Sequence, residues 1–233
     1  NLITQHKYIM SEFEEYAVVS VGEEVPDFTM ETYEASSGKF GSVSLASLKA
    51  KGKKKGKWTI LVFYPADFTF VCPTELADLA DQQKALEKLG AKVVSVSTDT
   101  KFSHLAWHRE ERLLEGVKYT MAADPTGEVS NLFGVYDENT GLALRGTFII
   151  SPDGKLVSSQ VNFYNLGRNM DELVRIMEAN AHCEKRPNDA CPAKWSKGDK
   201  ALTPSEKMVG NVYEAIYEEA KRSPLNKSGK MVG

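Results

Sequence analysis

The sequence predicts an α/β fold: a central mixed sheet with helices on both faces, followed by an irregular C-terminal arm. Three patterns predict it. The run Trp58 to Tyr64 is nearly all apolar and has the length of a fully buried strand, whereas Glu75 to Leu89 carries the amphipathic period of a helix. Val93, Val94 and Val96 then form a second apolar run, and a strand, a helix and a strand in this order make a parallel βαβ unit. Further on, Ala143 to Ile150 and Lys155 to Phe163 are strand-like runs joined by Pro152–Asp153–Gly154, a hairpin signal.

At 233 residues the chain has room for one large domain or a domain with an appendage, and its 42% hydrophobic and 26% charged content is ordinary for a soluble globular protein. A net charge of −3 exerts no general pull toward nucleic acid or acidic lipid. No stretch approaches the roughly 18 apolar residues of a membrane span. Three cysteines are too few for a disulfide framework and point to a reducing, cytoplasmic setting. The expected organisation is an N-terminal extension over residues 1–15, the α/β domain over 16–180 and the arm over 181–233. Residues 1–9 lack both the apolar core of a signal peptide and an Arg-rich transit pattern. They read as an appended remnant with Met10 as the natural start, a processed targeting segment being the alternative.

Along the chain, Phe13, Tyr16 and Val18 suggest an edge element within residues 11–20, and Ser44 to Leu48 a brief apolar turn. Lys49, Lys51, Lys53, Lys54, Lys55 and Lys57 could form a basic patch for nucleic acid or lipid, but without interleaved aromatics they read better as a solvated loop. Gly90 stands where a left-handed helix cap is wanted. Phe102 to Leu114 reads as a helix, Asp124–Pro125–Thr126–Gly127 as a turn, and Glu128 to Phe133 as a short helix. Asn169 and Glu172 resemble a capping box opening a helix with Met170, Leu173, Val174 and Met177 on one face. In the arm, Thr203–Pro204–Ser205–Glu206 signals a last helix with Met208, Val209, Val212, Tyr213 and Ile216 as an apolar stripe, expected to dock on a partner subunit. Ser223 to Gly233 is expected to be disordered. Elements in this order fit a thioredoxin-like sandwich.

Cys72 falls where the first strand hands over to the first turn of a helix. Free amide N–H groups and the positive end of the helix dipole favour a thiolate there, and Pro73 is tolerated so early in a helix. Against this stands the common fate of a lone cysteine, an inert buried hydrophobe, and position alone leaves the two open. Thr69 adds a hydroxyl one turn upstream that can both donate to a sulfur anion and accept from a substrate O–H.

Pro65-x-x-x-Thr69-x-x-Cys72 resembles the active-site signature of the peroxiredoxins, and Phe70–Val71–Cys72–Pro73–Thr74–Glu75 that of the typical two-cysteine group, nearest the bacterial alkyl hydroperoxide reductase C branch. Ser97–Thr98–Asp99, His104 to His108, Asp124 to Gly127, Arg145 to Phe148 and Cys191–Pro192–Ala193–Lys194–Trp195 follow in the family's order. The resemblance implies a thiol peroxidase for hydrogen peroxide and organic hydroperoxides. Cys72 would attack one peroxide oxygen and become a sulfenic acid. Arg145 would stabilise the sulfur anion and the leaving oxygen, although a surface arginine in an exposed ion pair is its commoner fate. Thr69 would hold the peroxide, Pro65 would shield the sulfur, and Glu75 would orient Arg145 and Arg168.

Cys191 would be the resolving thiol, attacking Cys72 of the other subunit. The electron donor would be a thioredoxin or a flavoprotein disulfide reductase. Ser103, His104 and Trp107 would lie where dimers join, up to five in a ring. No cofactor, metal, nucleic acid or membrane is implied. Cys183, at a helix C-terminus that disfavours its anion, reads as a bystander, with a Cys183–Cys191 disulfide as the alternative. Glu110 to Tyr119 lacks the Gly-Gly-Leu-Gly insertion of easily over-oxidised members, and no Phe follows Tyr213 or Tyr217, so Cys72 is expected to resist sulfinic acid formation. A peroxide-linked chaperone is the alternative of another class. A disulfide oxidoreductase is weakened by the lack of a Cys-x-x-Cys.

Overall fold

The structure, a computed structural model, describes residues 18–49 and 56–218. Its first strands, β1 (Thr29–Glu34) and β2 (Lys39–Ser44), form an antiparallel hairpin turned at Gly38, whose φ of 69° is costly for a residue with a Cβ. Ser44 caps the one-turn helix α1 (Leu45–Leu48), accepting from the Ser47 amide at 3.2 Å. β3 (Trp58–Phe63) is buried at every position, as its unbroken apolar run predicts. The helix α2 (Cys72–Lys88) follows and ends at Gly90, which takes the left-handed conformation at φ 85°. β4 (Ala91–Ser97) then lies parallel to β3, completing the predicted βαβ unit.

α3 (Lys101–Glu110) is shorter than predicted. The chain becomes extended at Glu111, whose carboxylate accepts from the Leu113 amide at 3.1 Å and starts a separate 3-10 turn over Arg112–Gly116. β5 (Thr120–Ala123), α4 (Glu128–Leu132), β6 (Tyr136–Asp137), β7 (Leu142–Ala143), β8 (Arg145–Ile150) and β9 (Leu156–Asn162) follow.

Seven strands make one sheet in the order β2-β1-β5-β4-β3-β8-β9, with β6 and β7 as a separate ribbon. β3, β4 and β5 are parallel neighbours and the other pairs of the large sheet are antiparallel, so the sheet is mixed. Helices flank it, giving the α/β class read from the sequence. Its core gathers Leu61, Phe63, Val94, Val96, Phe133 and Phe148, with the last two rings 4.7 Å apart. Burying each such side chain contributes roughly 1.5–3 kcal/mol. That burial anchors the C-terminal end of β3, from which the chain enters the loop leading to α2.

The described residues divide into two units, one up to Met170 and one from Asp171. The second contains α5 (Met170–Lys185), an irregular arm, a 3-10 turn over Glu206–Met208 and a π-helical turn over Glu214–Glu218. The helix expected to open at Thr203 does not form there. Ser205 makes no side-chain cap, the chain turns at Val209–Gly210, and Val209, Val212 and Tyr213 remain exposed. The expected extension at residues 1–15, most of the edge element at 11–20, the lysine-rich stretch at 50–55 and the tail from 219 lie outside the described residues. No helix among the described residues is long and apolar enough to cross a membrane.

Candidate active site

Cys72 is the first residue of α2, and Pro73 sits beside it in the turn that needs no donor. The helix has no side-chain cap, since Val71 supplies only its carbonyl, which accepts from the amides of Thr74 and Glu75. The loop before it is tightly shaped. Phe68 takes a φ of 55°, a conformation that costs an ordinary side chain of order 1 kcal/mol. The Thr69 hydroxyl donates to the Ala66 carbonyl at 2.8 Å, which leaves its lone pairs free to accept. Pro65 is buried, and Cys72 is 0% exposed.

Arg145 opens β8. The pairing of Val62 with Thr147 sets it just beyond the end of β3, level with the loop to Cys72. Its Nη1 donates to the Cys72 sulfur at 3.4 Å and to Glu75 Oε2 at 2.5 Å, while Nε and Nη2 donate to the Tyr164 carbonyl at 2.9 and 2.7 Å. Arg168 approaches Glu75 from the other side. Its Nε and backbone amide donate to Oε1 at 2.8 and 2.9 Å, and Nη1 donates to the Gly146 carbonyl at 2.9 Å. All three side chains are at most 4% exposed. Two guanidinium groups and one carboxylate leave a buried excess of one positive charge, which a thiolate at Cys72 would balance.

The structure thus brings together Cys72, Glu75, Arg145 and Arg168, with Pro65 and Thr69 in the loop that leads to Cys72, and it overturns the surface reading of Arg145. Sequence reasoning missed the Tyr164 carbonyl, because a backbone acceptor leaves no mark on residue type.

His104 and Trp107, expected at a subunit interface, are 0% and 1% exposed, enclosed by the protomer itself. Of the three expected residues only Ser103 keeps partial exposure. The helical period that placed these residues on α3 could not reveal which face turns inward. Trp107 packs its ring 6.2 Å from Phe68 and 5.9 Å from Tyr64. His104 meets Asp67 Oδ2 at 2.9 Å through Nδ1 and the Ala122 carbonyl at 3.1 Å through Nε2. The ring thus ties Asp67 to the Ala122 carbonyl and braces the loop from behind. Tyr64 donates to Asp67 at 2.7 Å, and the Asp67 amide donates to Asp99 at 2.8 Å. Burial, then the Asp67 charge, pushes the Tyr64 hydroxyl well above its usual range, and the same two causes raise Asp99.

In the second unit, Cys191 lies in the arm and Cys183 in the last turn of α5, with sulfurs 3.7 Å apart. Cys183, expected to be a bystander, thus lies in contact with Cys191. All three cysteines are free, and among the described residues no group of three or more His, Cys, Asp or Glu could hold a metal ion.

Residues 21–159 match the AhpC/TSA family. Alkyl hydroperoxide reductase C of Staphylococcus aureus strain Mu50 is 43% identical over 192 residues, 82% of this chain and 98% of that protein. The chain belongs to the AhpC/TSA family. Beyond that match, residues 182–215 match the C-terminal domain of 1-Cys peroxiredoxin, so the arm is also similar to known members. Among solved structures, the reduced 2-Cys peroxiredoxin of Plasmodium vivax superposes with a TM-score of 0.73 at 35% identity, covering 80% of this chain and 94% of that one. AhpC of Enterococcus faecalis does so with a TM-score of 0.69 at 38% identity, covering 75% and 100%. In this AhpC/TSA chain, Cys72, Glu75 and Arg145 lie within the matched residues, and Arg168 follows them.

Proposed function

We infer that this protein is a thiol-dependent peroxidase that reduces hydrogen peroxide and organic hydroperoxides, with Cys72 as the nucleophile. The observation that carries the reading is the Arg145 N–H 3.4 Å from the Cys72 sulfur, inside a cluster with one uncompensated positive charge. A thiolate there attacks one peroxide oxygen, the O–O bond breaks, and the other oxygen leaves as water or alcohol while Cys72 becomes a sulfenic acid. Arg145 and Thr69 supply hydrogen bonds to the two oxygens as charge builds on the departing one. Pro65 limits water at the sulfur, and Glu75 with Arg168 holds Arg145 in place. Because Cys72 is fully enclosed, a peroxide reaches it through a local shift of the loop from Pro65 to Val71.

Cys191 of the partner subunit then displaces hydroxide from the sulfenic sulfur, and a thioredoxin or flavoprotein disulfide reductase restores the thiols. The working form is a homodimer, assembling as five dimers when reduced, in the cytoplasm. The relatives named above are a reductase and peroxiredoxins, which favours peroxidase over holdase activity. The test is peroxide consumption with a dithiol reductant: wild type turns over, Cys72→Ser does not, and a Cys72→Ser protein retaining the activity would refute the reading.

A further inference from the structure

The two sulfurs of the second unit are arranged for a reaction of their own. Cys183 and Cys191 are eight residues apart, with sulfurs in van der Waals contact at 3.7 Å, and both side chains are half-buried. A disulfide between them would bring the sulfurs from 3.7 Å to roughly 2.05 Å. The surroundings hold the arm against α5. His182 Nε2 meets Asp189 at 2.9 Å, Arg175 donates to the Trp195 carbonyl at 2.7 Å, and Ala190 pairs with Leu202 as an isolated bridge. The thiols line a cleft of about 320 Å³ together with Arg175, Asn180 and Lys194.

We propose that Cys183 is a third redox cysteine: it takes the Cys191 sulfur over from Cys72, so that oxidation ends in a Cys183–Cys191 disulfide within one chain. The step rests on the peroxidase reading above, in which Cys72 and Cys191 first join. The Cys183 thiolate, its proton released to solvent, attacks the Cys191 sulfur. A Cys183–Cys191 bond forms, the Cys72–Cys191 bond breaks, and Cys72 departs with the bonding pair as a thiolate.

Electrons balance without a further oxidant: the peroxide takes two, and two thiols are left as one disulfide. Direction follows from the neighbours. The departing sulfur is the one with a guanidinium N–H 3.4 Å away, which suits it to leave as an anion. Contact supplies the rate, the Cys183 sulfur being held 3.7 Å from its target at high effective concentration. The disulfide then lies in the cleft, where a dithiol reductant would meet it, and Cys72 is free to react again.

The full-length reduced protein, treated with one equivalent of hydrogen peroxide, alkylated and separated without reductant, tests this. Wild type should run as a monomer carrying one alkyl group where the alkylated reduced chain carries three, with Cys183 and Cys191 peptides linked and Cys72 alkylated. Cys183→Ser should instead accumulate a covalent dimer through Cys72 and Cys191. A wild type that ends as the same covalent dimer as Cys183→Ser overturns the relay and leaves the peroxidase reading standing. Peroxide that oxidises no Cys72 in any variant overturns both. As a second measurement, Cys72→Ser treated with diamide should form the Cys183–Cys191 bond within the chain, and failure to do so also overturns the relay.

Discussion

Arg145 and Cys72 are 73 positions apart in the chain and 3.4 Å apart in space, joined by the same Nη1 that contacts Glu75. Replacing Arg145 with Met removes the donor at the sulfur and should slow peroxide attack by roughly 10²–10³-fold. Arg145→Lys should recover only part of that. Its single ammonium cannot span Cys72, Glu75 and the Tyr164 carbonyl together. Stopped-flow rates of Cys72 oxidation measure both.

Among the described residues, Glu75 is the one acid bonded to both guanidinium groups. Glu75→Gln leaves two buried cations with only the Cys72 sulfur to offset them, and loss of one partner of such a cluster costs about 3–5 kcal/mol. Denaturant titration of the reduced protein should show the midpoint falling. A double change, Glu75→Gln with Arg168→Met, should be less destabilised than Glu75→Gln alone.

For Thr69, the hydroxyl and not the shape is expected to matter. Thr69→Val keeps the volume but loses the donation to Ala66 and the free lone pairs. A lost hydrogen bond of about 1–3 kcal/mol corresponds to about ten- to a hundredfold in kcat/KM for peroxide. Thr69→Ser should stay near wild type.

Burial, and after it the hydrogen bond from Cys183, pushes the Cys191 thiol up to about 11. A raised value means the thiol keeps its proton at neutral pH, and the attacking thiolate grows about tenfold for each pH unit below that value. Formation of the Cys72–Cys191 bond, followed by rapid quench, should therefore accelerate steadily from pH 7 to 9. Cys183→Ala removes the second cause but not the first, so its profile should shift to lower pH without losing its slope. A flat profile in wild type would contradict the assignment of Cys191 as the attacking thiol.

Much of the fold was legible because its signals are local. The Trp58–Tyr64 run, the Glu75–Leu89 period and the glycine at position 90 each depend on neighbours within a few residues, and each became the element expected. The C-terminal helix failed for the same reason in reverse: a good start signal at Thr203 was followed by Gly210 and a chain that turns there. Local chemistry also marked Cys72 and Thr69, since the helix start and the hydroxyl one turn earlier can be read from residue order.

The amino-acid sequence alone decided that one cysteine would head a helix behind a buried strand, and which residue types would be available to it. Tertiary structure alone decided that Arg145 faces that sulfur, that Glu75 ties two arginines together, that His104 and Trp107 turn inward, and that Cys183 touches Cys191. The division has a physical cause. Strand and helix patterns follow from backbone geometry over a few residues, whereas meetings across the chain follow from strand register and packing, which no single stretch encodes.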